Sequence, residues 1–131
     1  MGDASPKKAT ILVVDDNEDI CAFLCVALEN AGYDVRSAPE GARALALQRE
    51  RPAELLITDI FMPILEGFET ITRFKNDFPA TKIIAMSAGG TGMKHDYLST
   101  AGLIGVDATL HKPFGTDLLL DTVRNVLSSR A

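Results

Sequence analysis

The 131-residue sequence predicts an α/β fold, a doubly wound parallel sheet of five strands with five helices. Three observations carry that prediction. Short apolar or β-branched runs alternate strictly with stretches of helical period. The first run, from Ala9 to Val14, is apolar almost throughout, as a strand covered on both faces requires. No internal repeat, linker or low-complexity tract interrupts the alternation, so a single domain accounts for the chain.

Each element follows from its own pattern. The first strand, Ala9 to Val14, ends at Asp15. From Ile20, the apolar residues Phe23, Leu24, Ala27, Leu28 and Ala31 recur at spacings of three and four, and Gly32 closes this first helix as its C′ residue. Asp34 to Ala38 is the second strand, the alanine-rich stretch from Gly41 to Gln48 the second helix, and Leu55 to Thr58 the third strand. The third helix runs from Phe68 to Phe78 with Ile71 and Phe74 facing inward, and Pro79 stops it. Lys82 to Met86 is the fourth strand, and a less regular fourth helix is expected from Met93 to Ala101. The fifth strand spans Gly105 to Leu110. The last helix takes Thr116 as its N-cap and buries Leu119, Val123, Val126 and Leu127. Strict alternation of this kind makes the sheet flavodoxin-like.

Composition narrows the function. With 47% hydrophobic and 24% charged residues, the chain supports a core and is neither disordered nor collagen-like. Thirteen Lys+Arg against 18 Asp+Glu give a net charge of −5, and no basic patch stands out, so nucleic acid is not an expected partner. Cys21 and Cys25, four apart in one helix, suit neither a disulfide framework nor a closed zinc site and read as two reduced thiols. No apolar run approaches the roughly 18 residues of a membrane span. The N-terminus lacks a signal-peptide core, and Pro6 breaks the myristoylation pattern. A soluble, cytoplasmic protein without a membrane partner is expected. The first eight residues look frayed, and no output domain is expected after the last helix.

In an open parallel sheet, ligands bind beyond the carboxyl ends of the strands. There the chain places Asp15 and Asp16 after the first strand, Asp59 after the third, Ser87 after the fourth and Lys112 after the fifth. Each has an ordinary alternative: the aspartates as helix caps or turn residues, Ser87 as a loop serine, Lys112 as a solvated lysine. Together they are hard to dismiss. Three close carboxylates repel unless a cation joins them, and oxygen ligands of this number suit Mg2+. A carboxylate can also attack phosphorus, and the phosphoryl oxygens then need positive charge and donors, which Lys112 and the Ser87 hydroxyl supply. Gly89-Gly90-Thr91-Gly92 is neither a Walker A loop nor a dinucleotide fingerprint. His95 and His111 have no partners at ligand spacing and are expected to face solvent.

Val13-Val14-Asp15-Asp16, Thr58-Asp59-Ile60-Phe61-Met62-Pro63, Met86-Ser87-Ala88 and Lys112-Pro113-Phe114 together resemble the signature of the receiver domains of two-component response regulators. Glu66-Gly67-Phe68 resembles the family's loop into its third helix, and Gly41 its turn into the second. The resemblance covers the chain from about Ala9 to Leu127 and implies a receiver domain over residues 9–129 after a flexible stretch over 1–8. It implies that Asp59 accepts a phosphoryl group from a histidine kinase or histidine phosphotransfer protein. Asp16 and Asp15 would bind Mg2+ with Asp59 and the Phe61 carbonyl. Lys112, the Ser87 hydroxyl and the Ala88 backbone N–H would hold the phosphoryl group. It further implies a cis Lys112–Pro113 bond, and a partner surface on the fourth helix, fifth strand and last helix to which Leu118 and Leu120 contribute.

The chain also departs from the family. Thr109 stands where receivers usually carry an aromatic, so an aromatic rotamer switch is not available, and any switch must use the loops or the fourth helix. The stretch from Ser87 to Lys112 is glycine-rich, somewhat long and expected to be mobile. The leading expectation is a single-domain response regulator that acts catalytically only on itself, with an output protein that the sequence does not name. The rivals are a degenerate receiver serving as a constitutive interaction module and a Mg2+-dependent aspartyl phosphatase. The phosphatase would need a carboxylate two residues beyond its nucleophile, where this chain has Phe61.

Overall fold

The computed structural model describes residues 9–60, 64–87 and 105–129. Along these the order is β1 (Thr10–Val14), α1 (Glu18–Asn30), β2 (Asp34–Ala38), α2 (Gly41–Glu50), β3 (Leu55–Asp59), α3 (Ile64–Asp77), β4 (Lys82–Ser87), β5 (Ala108–His111) and α4 (Thr116–Ser128). The five strands form one sheet in the order β2-β1-β3-β4-β5 with every neighbouring pair parallel. The expected doubly wound α/β fold is therefore present, with four helices among the described residues. The helix expected over 93–101, the glycines over 89–92, His95 and the first eight residues lie outside them.

The strands serve two cores at once because successive side chains point to opposite faces. Ile11 and Val13 of β1 join Leu55, Ile57, Ile84 and Met86 in a core closed by Leu24 and Leu28 of α1 and by Leu119, Val123 and Val126 of α4. The intervening Leu12 and Val14 join Leu56 and Ile83 on the other face, under Ala44 and Leu45 of α2 and Ile71 and Phe74 of α3. This two-sided demand explains why β1 and β3 read as apolar runs rather than alternating ones. Edge strand β2 is only partly covered. Its Arg36 guanidinium donates to the carbonyls of Leu47, at 3.0 Å, and of Arg51, at the end of α2.

Several element ends differ from the expected ones for local reasons. Helix α1 starts two residues earlier than expected, at Glu18, because the Asn17 side chain caps it, accepting from the N–H groups of Asp19 and Ile20 at 2.8 and 3.2 Å. It ends as expected, with Gly32 at φ +100° directly after the Ala31 C-cap. Helix α3 starts at Ile64 rather than at Phe68. Thr116 is the first helical residue of α4 and not its cap; Gly115 is the N-cap, without a side-chain bond. Strand β5 begins only at Ala108, because the Asp107 carboxylate occupies the Ile83 N–H at 2.8 Å just before pairing starts.

A buried polar tether fixes the amino ends of β3 and β4. The Gln48 side chain of α2 accepts from Ala53 N at 2.9 Å and donates to Thr81 Oγ1 at 3.0 Å, and Thr81 Oγ1 in turn donates to the Ala53 carbonyl at 2.8 Å. Replacing Gln48 with methionine keeps the volume but strands the Ala53 N–H, and should lower unfolding free energy by about 1–3 kcal/mol. Leu118→Ser, at a side chain 52% exposed, should change it by less than about 0.5 kcal/mol. Urea midpoints of the two variants test this, and equal midpoints would show that the tether is dispensable.

Candidate functional site

The strand order reverses direction at β1, so a crevice opens above the carboxyl ends of β1 and β3. Register places the predicted residues around it. Asp15 directly follows β1, its N–H bonded to the Ala38 carbonyl at the end of β2, at 3.2 Å. Asp59 ends β3 opposite Met86 of β4, and Ile60 N donates to the Met86 carbonyl at 2.9 Å. Ser87 ends β4 opposite His111 of β5, and the next N–H, that of Lys112, donates to the Ser87 carbonyl at 2.7 Å. Four strand ends thus deliver two carboxylates, a hydroxyl and an ammonium to one edge of the sheet.

Lys112 ties the cluster together. Its Nζ lies 2.7 Å from Asp15 Oδ2 and 3.3 Å from Asp59 Oδ2. The two carboxylates are almost withdrawn from solvent, with Asp15 1% and Asp59 4% exposed. Burial alone would pull the ammonium's pKa down. The hydrogen bond to Asp15 and the charges of Asp59 and Asp15 outweigh it and hold the group above its usual 10.5. Lys112 therefore stays charged across the physiological range. Asp16 is exposed at the mouth, and one carboxylate oxygen from each of Asp15, Asp16 and Asp59 lies within 4.8 Å of the others. Hard oxygen donors at that spacing, two buried and one reachable from solvent, fit a hard divalent cation that keeps some of its water. The Ser87 hydroxyl is fully buried and has no hydrogen-bond partner among the described residues. A buried hydroxyl in that position is costly unless something arrives to accept from it.

Phe61, Ala88 and the Met62-Pro63 pair lie outside the described residues. The Lys112–Pro113 peptide is cis, as the resemblance implied. Thr109 is exposed on β5 while Leu110 beside it is buried, and His111 is exposed as expected. Two contacts to Asp15 went unread in the sequence. The Asn17 N–H donates to Asp15 Oδ1 at 2.9 Å, so the residue that caps α1 also holds the second oxygen of Asp15. The Cys21 thiol donates to the Asp15 carbonyl at 3.2 Å. Asn17 carried a cap signal ahead of Glu18-Asp19; Cys21 carried none. Away from the acidic cluster, an apolar groove of about 500 Å³ between α1 and α4 is lined by Phe23, Val26, Ala27 and Leu120.

Comparison with known proteins decides the family. The model of the response regulator receiver domain matches residues 11–124. The chain belongs to the receiver domain family of response regulators. It is 36% identical over 124 residues to the sensor histidine kinase TmoS of Ectopseudomonas mendocina, covering 92% of this chain and 12% of TmoS. It is 36% identical over 118 residues to the response regulator receiver protein CpdR of Brucella abortus, covering 89% of this chain and 95% of that protein. Among solved structures, the chemotaxis response regulator CheY4 of Vibrio cholerae superposes with a TM-score of 0.81 at 29% identity, over 92% of this chain and 99% of that one. The chain spans only 42–53% of the regulators GtcR, RpaA and PrrA that it also matches. This receiver domain is thus a two-component signalling module, and no helix among its described residues is long and apolar enough to cross a membrane.

The receiver domain's two thiols are poorly suited to nucleophilic chemistry. Burial, followed by the negative charge of Asp15, pushes the Cys21 thiol from 9.0 to about 11, and burial raises Cys25 as well. At pH 8 a shift of that size lowers the thiolate fraction of Cys21 about 100-fold relative to the unfolded chain. A thiolate of higher pKa is also more nucleophilic, which offsets part of that loss, so iodoacetamide should alkylate Cys21 about tenfold or more faster in urea than in buffer at that pH. Mass spectrometry of the peptide over time measures this, and equal rates in both states would contradict the burial argument.

Proposed function

We propose that this receiver domain acts as a single-domain response regulator that accepts a phosphoryl group on Asp59. The donor is a histidine kinase or a histidine phosphotransfer protein, and phosphorylation switches binding to an output protein in the cytoplasm. The observation that carries this reading is the Lys112 ammonium, bonded at once to the buried carboxylates of Asp15 and Asp59, beside a buried Ser87 hydroxyl with no partner among the described residues. The domain proper is proposed to span residues 9–129.

One Asp59 carboxylate oxygen forms a bond to phosphorus as the bond from phosphorus to the donor imidazole breaks, and the imidazole nitrogen keeps the electron pair. Lys112 already sits within ion-pair distance of the attacking carboxylate and turns to the phosphoryl oxygens as their charge arrives. The Ser87 hydroxyl donates to a phosphoryl oxygen, and the Ala88 N–H adds a second donor. Asp15, Asp16 and Asp59, with the Phe61 carbonyl, would hold Mg2+, which when bound supplies positive charge to the phosphoryl oxygens. Return to the resting state is hydrolysis: water attacks phosphorus, and the Asp59 carboxylate leaves with its electron pair. The bond to phosphorus that hydrolysis breaks is the one the domain itself carries, and the bond formed in uptake is to its own Asp59, so its catalysis is directed at itself. The aspartyl phosphatase alternative is disfavoured because Phe61 supplies no acid or base.

The test uses intact mass. With Mg2+ and a small acyl-phosphate donor, the wild type should gain one phosphoryl group and Asp59→Ala none. Lys112→Ala should slow uptake about 100-fold, and Asp16→Asn should raise the Mg2+ concentration needed for half-maximal uptake. A wild type that gains no phosphoryl group from either the small donor or a phosphorylated histidine kinase would make the domain a constitutive interaction module. Sustained turnover of an external phosphoester would instead favour a phosphatase.

A further inference from the structure

Gly67 is buried in the first turn of α3, and its role is spatial. A Cβ at this position would stand 3.0 Å from Ile60 Cα and 3.3 Å from the carbonyl oxygens of both Asp59 and Ile60. All three are backbone atoms, so no side-chain rotation relieves the contact. The opposite side of the same peptide is fixed as well. Ile60 N donates to the Met86 carbonyl at 2.9 Å, and Asp59 is in register with Met86 of β4. The Asp59–Ile60 peptide is therefore held between a strand on one side and a bare helix backbone on the other.

We infer that Gly67 is a positioning residue for the phosphoryl acceptor: the missing side chain lets α3 press directly on the Asp59–Ile60 peptide and sets where the Asp59 carboxylate meets Lys112 and the incoming phosphorus. This rests on the function proposed above. Only a small displacement is needed for an effect. Asp59 Oδ2 lies 3.3 Å from Lys112 Nζ, at the outer limit of a hydrogen bond. Reacting groups must be held within about 0.5 Å of productive geometry, and misplacement by about 1 Å costs roughly 100-fold in rate. A methyl group at residue 67 must move either the α3 backbone or the peptide that carries Asp59, and both moves alter the acceptor's surroundings.

The test separates positioning from loss of stability by using a second glycine. Gly32 has φ +100° and nothing within 4 Å of an added Cβ, so Gly32→Ala strains the backbone far from the acceptor. Initial rates of phosphoryl uptake at saturating Mg2+, and thermal midpoints, are measured for wild type, Gly67→Ala and Gly32→Ala. Both variants should melt earlier. Gly67→Ala should lose about tenfold or more in rate, and Gly32→Ala should keep the wild-type rate. The inference is overturned if Gly67→Ala reacts at the wild-type rate, or if both variants slow in proportion to their unfolded fraction. Should Gly67→Ala be partly unfolded, sucrose restores the folded population; a deficit that persists supports the inference, and full recovery overturns it. A wild type that takes up no phosphoryl group refutes the proposed function instead. The affinity of the three carboxylates for Mn2+, read by its electron paramagnetic resonance signal, then decides: weaker binding in Gly67→Ala supports positioning, and unchanged binding overturns it.

Discussion

Two carboxylates stand almost fully out of water at the carboxyl edge of this sheet, and one ammonium makes that tenable. Without Lys112 the buried charges of Asp15 and Asp59 would lose the cation they share, and breaking a buried ion pair costs several kcal/mol in protein interiors. With it, each aspartate has a partner at 2.7 or 3.3 Å. Asp15 is further satisfied by the Asn17 N–H. The ion pair is poor evidence for stability as such, since an apolar replacement of equal volume would serve a core as well or better. Its value is that it keeps charge poised in a dry crevice, where each electrostatic interaction acts with less screening than in water.

The sheet exists, in this sense, to hold those groups in register. Asp15 follows β1 and Asp59 ends the adjacent β3, at the reversal of strand order, while Ser87 ends β4 and Lys112 follows β5, joined by the Lys112 N–H to Ser87 carbonyl bond. Below them, the alternating residues of β1 and β3 are clamped from both sides by helices. At the far end, the Gln48 tether fixes the amino ends of β3 and β4. Rigidity at the base is what makes precision at the rim affordable.

Much of this was legible in the chain. Asp15, Asp16, Asp59 and Ser87 could be found because each ends or follows a run that is apolar nearly throughout, which is what two-sided burial writes into a sequence, and Lys112 because it follows the last predicted strand. Gly32 announced the end of α1 for a similar local reason. What escaped depends on distances between elements. That the Cys21 thiol reaches the Asp15 carbonyl, or that Gln48 is a buried linchpin rather than a solvated glutamine, follows from how a helix docks and has no mark of its own. Thr116 misled because a favoured capping residue stood one position too late, inside the helix it was expected to cap. The start of β5 misled because a side chain, Asp107, took the place of a backbone partner.

The position of β1 has a consequence for how the chain is made. Of the sheet's five strands it comes first in the chain, yet it lies inside the sheet, between β2 and β3. Ile11 and Leu12 pair with Leu55 and Leu56, more than forty residues away. Until that distant segment has left the ribosome, a strand that is apolar on both faces has only the partly covered β2 beside it. Pairings this distant in sequence form slowly, and exposed strand edges invite aggregation meanwhile. The arrangement that sets Asp15 and Asp59 side by side inside the sheet thus also leaves an apolar strand waiting for its partner while the domain folds.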